Sequence, residues 1–347
     1  MTAAAFVVAG ALDQPTGGYV YDRAIIDGLR ADGVDIEVVE LAGTFPVADD
    51  TARAALDRAL AHASPRTPVI VDGLAAGGLP EIVERHASER SIIVLLHHPL
   101  CDETGLEDVT QARLLRSERR VLACATRIIV TSRFTARRLV SLALAGEDAI
   151  TVIEPGVRPA ALTHDEHEGP CHLLCVASII PRKGHRLLVD ALARVRDLDW
   201  VCDFVGDDKR DANETKALQQ AIDRHGLSER IRLHGSQTTQ ALEHYYARAD
   251  IFVLASYYEG YGMVIDEAVA HGLPVVTTTG GALADTFPTG AGIVVAPGDT
   301  NALAQALHTL IDDAEQRGCA AAAARIARSG QRDWTAAARE FAAVLAR

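Results

Sequence analysis

Apolar positions along the chain follow two alternating rhythms. Short runs such as "AAFVVAG" (4–10), "DIEVVEL" (35–41), "TPVIVDG" (67–73), "SIIVLLHH" (91–98), "RIIVTS" (127–132) and "AITVIEPG" (149–156) are rich in β-branched residues. They end at turn formers, a pattern that predicts strands. Between them, "YVYDRAIIDGLRADG" (19–33) and "DDTARAALDRALAHA" (49–63) place apolar residues three and four apart, as amphipathic helices do. Strands that are hydrophobic almost throughout, alternating with helices, predict a parallel sheet covered on both faces.

After "EPGVRPAALTHDEHEGPC" (154–171), a polar stretch with three prolines, the rhythm restarts. The second set of runs is "HLLCVAS" (172–178), "DWVCDFVG" (199–206), "IRLHGS" (231–236), "DIFVLAS" (250–256), "LPVVTTT" (273–279) and "AGIVVAPG" (291–298). The fold class expected is α/β, with two Rossmann-like, doubly wound parallel-sheet domains facing across a cleft. Their expected bounds are 1–160 and 161–330, with a hinge near residues 155–170. The tail 331–347, containing the amphipathic "DWTAAAREFAAVLAR", is expected to pack back on the N-terminal domain. A chain of 347 residues suits two such cores.

Composition narrows the function classes. A net charge of -13 argues against general binding to nucleic acid or anionic membrane. One local exception is the run of eight arginines between Arg113 and Arg138, which contains a single acid, Glu118. It reads either as a solvated helix face or as a seat for an anionic acceptor or lipid headgroup; membrane association is not otherwise indicated. Six cysteines without metal-type pairing fit reduced, buried thiols in a cytoplasmic protein, and Cys171/Cys175 is a weak signal at a strand edge. "MTAAAFVVAGALDQ" reads as a first strand and not as a signal peptide.

Candidate chemistry sits where strands end. "DQPTGGY" carries Gly17 and Gly18, a glycine pair that opens backbone N–H groups at a helix start or merely makes a turn. "LLHHPLCDETG" carries His97 and His98, which on a strand would face opposite sides, so that at most one points into the cleft. Either histidine can equally be structural. "VASIIPRKGH" carries Arg182, Lys183 and Gly184 before a helix, and Lys183 is one of only three lysines. Two cations at a helix N-terminus oppose the helix dipole, a conflict that an intervening phosphate would resolve.

The fourth stretch, "SYYEGYGMVIDEAVAHGLPVV", follows the strand "DIFVLAS". Glu259 lies in the loop and Glu267 in the second turn of a helix that buries Val264, Ile265, Ala268 and Val269 and ends at Gly272 and Pro274. Two carboxylates suggest acid–base work, whereas Gly260 and Gly262 at a helix start suggest a phosphate seat. "GDD" at 206–208 reads as an acidic loop, and no metal is expected.

On these residues the sequence resembles the retaining GT-B glycosyltransferases of family 4. "EGYGMVIDE" matches their E-x7-E motif, "PRKGH" their basic loop and "TGGY" their N-terminal glycine loop. The block "YYARADIFVLASYYEGYGMVIDEAVAHGLPVV" extends the match, which is strongest from about 173 to 300. The resemblance implies a bacterial, cytoplasmic, metal-independent enzyme with a UDP- or GDP-linked sugar donor and a small-molecule or glycan acceptor. In that reading Glu267 accepts from the ribose hydroxyls, and Glu259 stands beside the transferred sugar. The N–H groups of Gly260, Tyr261, Gly262 and Met263 lie near sugar and diphosphate. Lys183 and Arg182 neutralise the departing diphosphate, His97 is the cleft histidine with His98 as the alternative, and Gly235 and Ser236 border the base. Ser178 departs from the pattern by standing where many relatives have an arginine; Arg182 or Arg186 is the substitute. Rival readings are an NDP-sugar epimerase, a sugar phosphorylase of the same architecture, or a non-catalytic nucleotide-sugar binder. An NAD enzyme is disfavoured, because no strand–GxGxxG–helix unit occurs.

Overall fold

The computed structural model describes residues 3–64, 67–162 and 169–346; residues 163–168 of the polar stretch between the halves, and Arg347 of the tail, lie outside that description. Twelve strands form two six-stranded sheets, one from each half of the strand pattern. By contacts the chain divides into two compact units, one made of Met1–Gly156 with Asp333–Arg347 and the other of Val157–Arg332.

In the first unit the strands are β1 (Ala3–Ala9), β2 (Asp35–Leu41), β3 (Val69–Asp72), β4 (Ile92–Leu96), β5 (Arg127–Val130) and β6 (Ile150–Val152). All pair in parallel, in the order β2-β1-β3-β4-β5-β6. Every residue of β3 and β4 is buried, as strands covered on both faces must be, while β2 at one edge exposes Asp35 and Glu37. The direction of winding reverses between β1 and β3, so the segments that leave the carboxyl ends of these two neighbours diverge there.

The tail helix, Trp334–Leu345, belongs to this unit. It packs on the first helix, Gly17–Ala31, so closely that a Cβ on Gly28 would stand 2.4 Å from the Cβ of Ala338. Its Phe341 is fully buried and stacks on Phe6 of β1 with ring centroids 6.4 Å apart. Asp333 caps the helix by accepting from the Ala336 N–H at 2.8 Å.

In the second unit the strands are β7 (Cys171–Val176), β8 (Trp200–Val205), β9 (Ile231–Leu233), β10 (Ile251–Leu254), β11 (Val275–Thr278) and β12 (Gly292–Val295). Their parallel order is β12-β11-β10-β7-β8-β9, which reverses between β7 and β10. Cys171 and Cys175 therefore lie on an interior strand and not at a sheet edge, and burial pushes both thiols up to about 12.

Arginines of the 113–138 run are largely occupied within the first unit. Arg120 makes a two-pronged contact with Glu84, Arg138 does the same with Asp102, and Arg119 donates to the carbonyls of Leu142 and Ala143. Arg113 and Arg116 stay exposed. None of the described helices is long and apolar enough to cross a membrane.

Replacing Phe341 by Ala should lower the stability of the first unit by about 3–5 kcal/mol, the usual cost of emptying a large aromatic from a core. Urea unfolding followed by a probe in that unit checks this, and a loss below about 1 kcal/mol would show that the tail helix is not part of its core.

Candidate functional site

Beyond β7 the chain passes Ala177–Ile180, and Pro181 opens a single 3-10 turn, Pro181–Lys183. Gly184 follows with φ 68° and precedes the helix His185–Leu192. Two demands fall on Gly184: the left-handed backbone, and a Cβ that would stand 2.1 Å from the carbonyl oxygen of Ala255. The missing side chain thus lets the loop after β7 lie directly against the end of β10. The two loops are stitched together by the Tyr257 N–H, which donates to the Arg182 carbonyl at 2.8 Å, and by Arg182 Nη1, which donates to the Tyr258 carbonyl at 2.7 Å.

Glu259 closes this junction and is only 6% exposed. Its Oε1 accepts from Lys183 Nζ at 2.6 Å and from the Ser256 hydroxyl at 2.6 Å, and its Oε2 lies 3.4 Å from Arg182 Nη1. Burial works against the carboxylate, but the charges of Lys183 and Arg182 and the hydrogen bonds from Lys183 and Ser256 outweigh it, holding Glu259 below the usual range. The anion expected between the two cations is thus supplied by the protein itself. Two cations against one carboxylate still leave the trio with a formal charge of +1.

Backbone contacts fix the same loop from its other side. The Glu259 N–H donates to the Gly280 carbonyl at 3.2 Å and the Glu259 carbonyl accepts from the Ala282 N–H at 2.8 Å. Gly281, at φ 66°, sits so close that a Cβ would be 2.2 Å from the Glu259 carbonyl oxygen. Gly280 and Gly281 went unassigned in the sequence reading, although a glycine pair after the strand "LPVVTTT" was visible. Gly262, at φ 103°, then starts the helix Met263–Ala270.

Glu267 lies on that helix with partners of its own. Its Oε2 accepts from the Tyr246 hydroxyl at 2.7 Å. Tyr246 is buried and stacks with Phe252 at 5.9 Å and with His271 at 4.9 Å. Burial pushes Glu267 up to about 7, against the pull of the Tyr246 hydrogen bond and with the help of neighbouring Asp266 and Glu243. The two glutamates of the motif therefore occupy opposite electrostatic settings, one held ionised and one inclined to keep its proton.

Of the remaining sequence candidates in this unit, Gly235 has φ 63°, and its carbonyl accepts from the Gly206 N–H at 3.0 Å, joining the ends of β8 and β9. Ser236 follows it. Asp207 and Asp208 hold their own loop, with the Lys209 N–H donating to Asp207 Oδ1 at 2.9 Å. Arg186 pairs with the Glu214 carboxylate at 2.9 Å. Of the two substitutes for the arginine missing at Ser178, only Arg182 reaches the Glu259 cluster.

In the first unit, Gly17 faces open space, whereas a Cβ on Gly18 would stand 3.0 Å from the ring of His97. His97 and His98 lie in a bend just after β4 and not on the strand, so strand alternation does not govern them. His98 turns to Glu103 at 3.4 Å. His97 instead presents Nε2 to Asp22 Oδ1 at 3.1 Å and to Asp72 Oδ2 at 3.3 Å. Donor atoms of these three lie within 4.8 Å of one another, the one grouping of that kind among the described residues, and the contacts are those of an ion pair. Asp72 also caps the following turn by accepting from the Leu74 N–H at 2.6 Å. Burial works against a charged ring, but the Asp22 and Asp72 carboxylates prevail and push His97 up to about 10. Sequence reasoning missed Asp22 and Asp72. The available signals were an acid on the apolar face of "YDRAIIDGL" and another ending the run "TPVIVD".

Residues 170–313 match the family model described as glycosyl transferases group 1. Among curated proteins, the D-inositol 3-phosphate glycosyltransferase of Arthrobacter sp. (strain FB24) is 31% identical over 216 residues, covering 58% of this chain and 51% of that protein. The mannosylfructose-phosphate synthase of Agrobacterium fabrum is 32% identical over 117 residues, 32% of this chain and 26% of that one. The chain spans about half the length of the first of these relatives. Among solved structures, sucrose-phosphate synthase from Thermosynechococcus elongatus superimposes with a TM-score of 0.82 at 20% identity, covering 98% of both chains. Anabaena HepE in complex with UDP-glucose does so with a TM-score of 0.77 at 19% identity over 99% of both chains. These likenesses show the GT-B fold. Over residues 170–313, the chain is similar to the glycosyl transferases group 1 family.

Proposed function

We propose that the protein is a retaining, metal-independent glycosyltransferase of the cytoplasm that moves a sugar from a UDP- or GDP-linked donor to a small-molecule or glycan acceptor. The observation that carries this reading is the Lys183–Glu259–Arg182 cluster, formed where the strand order reverses between β7 and β10. Ligands of open α/β sheets bind at such reversals, outside the carboxyl ends of the strands. A residual positive charge fixed there before the reaction begins suits a leaving diphosphate, and preorganised charge of this kind commonly supplies several kcal/mol of transition-state stabilisation.

In this reading the bond between the anomeric carbon and the diphosphate oxygen breaks with its electron pair passing to the diphosphate. Lys183 and Arg182 stabilise that developing charge. The acceptor oxygen bonds to the anomeric carbon from the same face, and its proton passes to the departing phosphate. Glu259, ionised and anchored by Ser256, accepts from a hydroxyl of the transferred sugar. Glu267 accepts from the ribose, with Tyr246 holding one of its oxygens in place. The N–H groups of Gly260, Tyr261, Gly262 and Met263 face sugar and diphosphate, Gly235 and Ser236 border the base, and Gly17 and Gly18 belong to the N-terminal glycine loop beside His97. HepE, whose structure was solved with UDP-glucose, supports a nucleotide-sugar donor by its shared fold.

A thermal-shift panel of UDP, GDP, ADP and their sugars should show one base stabilising the protein, by about 2.7 kcal/mol at a hundred times its Kd. No response to any nucleotide would overturn the reading. With the preferred donor, Glu267→Ala should raise KM at least tenfold with kcat little changed, and Glu259→Ala should lower kcat by about a hundredfold or more; the reverse split would exchange their roles. Because Glu267 is pushed up to about 7, it is protonated below that pH and becomes a full acceptor above it. Donor affinity should therefore rise between about pH 6 and pH 8. A nucleotide sugar titrated by calorimetry tests this cleanly, since its diphosphate does not change charge in that range, and Glu267→Gln should abolish the slope.

A further inference from the structure

A second charged cluster lies in the first unit, where the strand order reverses between β1 and β3. Asp22 arrives on the helix that follows β1, Asp72 ends β3 and His97 follows β4. Asp22 is fully buried and Asp72 is 5% exposed, while the His97 side chain keeps 21% of its surface open. Both carboxylates converge on one nitrogen, Nε2, at 3.1 and 3.3 Å. A lone pair at Nε2 would face carboxylate oxygens on two sides, so this nitrogen carries the proton. Asp22 Oδ2 has no hydrogen-bond partner, and a buried, underpartnered carboxylate stays ionised only beside a positive charge.

Other elements packed on the ring bring no competing charge. Tyr21 meets it edge-on at 5.5 Å, the Thr131 hydroxyl donates to its backbone carbonyl at 3.4 Å, and Gly18 lies against its edge. No described residue makes a hydrogen bond to Nδ1. We propose that Asp22 and Asp72 are positioning residues that hold His97 as an imidazolium, so that the ring offers a bound ligand a fixed Nδ1–H donor and not a lone pair. Such a donor fits an oxygen ligand, either a sugar hydroxyl or a phosphate oxygen. The choice between those two rests on the glycosyl-transfer reading above; the charge state does not.

The electrostatics agree in sign. The ring is pushed up to about 10 by the two carboxylates, while burial, with the neighbouring Asp72 carboxyl adding to it, pushes Asp22 up to about 7 in spite of the ring's attraction. As pH rises through 7 it is Asp22 that loses its proton, which strengthens the hold on the ring. His97 is therefore unavailable as a general base at neutral pH, unlike an ordinary histidine titrating near 6.5.

The test uses the full chain, free of nucleotide, with histidine labelled by 13C and 15N and the His97 signals assigned by their loss in His97→Gln. Ring shifts of His97 should stay those of an imidazolium from about pH 6 to about pH 9. In Asp22→Asn and in Asp72→Asn the titration should fall towards 6.5. A ring that is neutral at about pH 7.5 in the unaltered protein would overturn the proposal. So would selective broadening of His97 by stoichiometric Mn2+, because a cation held by the three groups would take the place of the ring proton. Should either variant fail to fold, the titration of the unaltered chain decides alone. Since no donor or acceptor is present, the result stands apart from the success or failure of the glycosyl-transfer reading.

Discussion

The ion pair between Lys183 and Glu259 is the contact around which the loops after β7 and β10 are arranged. It joins two loops far apart in sequence, and it can form only because the strand order reverses between β7 and β10 and brings the ends of these strands side by side. A buried carboxylate is costly without a partner, and here Lys183, Arg182 and Ser256 hold it ionised. The same contact keeps two cations from repelling each other beside the start of a helix. Glycines make the approach sterically feasible: Gly184 lets one loop touch Ala255, and Gly281 lets the chain beyond β11 touch Glu259.

Each unit has one such reversal, and each reversal gathers charge. In the C-terminal unit the balance is positive, with two cations against one carboxylate. In the N-terminal unit two carboxylates surround one imidazole. The common cause is topological: at a reversal, neighbouring strands send their connections to opposite sides, leaving strand ends uncovered by helix and open to polar side chains.

Much of this was legible in the sequence. Strand positions followed from β-branched runs because fully buried parallel strands permit little else, and all twelve runs formed strands. The loops bearing Lys183 and Glu259, and the helix start before Glu267, stood out through their glycines. What could not be read was pairing. That Glu259 itself is the anion between Arg182 and Lys183, or that Tyr246 grips Glu267, depends on which strand ends adjoin, and periodicity carries no such information. Asp22 was passed over although it shares the apolar stripe of its helix with Ile25, Ile26 and Leu29, because its partners Asp72 and His97 come from other strand ends. His97 and His98 were misjudged as strand residues, since β4 ends at Leu96, immediately before His97.

The packing of the tail helix on Gly28 and Phe6 has a temporal consequence. The first unit is sewn from both ends of the chain, with the whole of Val157–Arg332 inserted between its parts. A nascent chain can complete the second sheet while Phe6 and the face of the first helix still lack their cover. The domain that begins first is thus the one that finishes last, and during synthesis its uncovered apolar face is what a chaperone would meet.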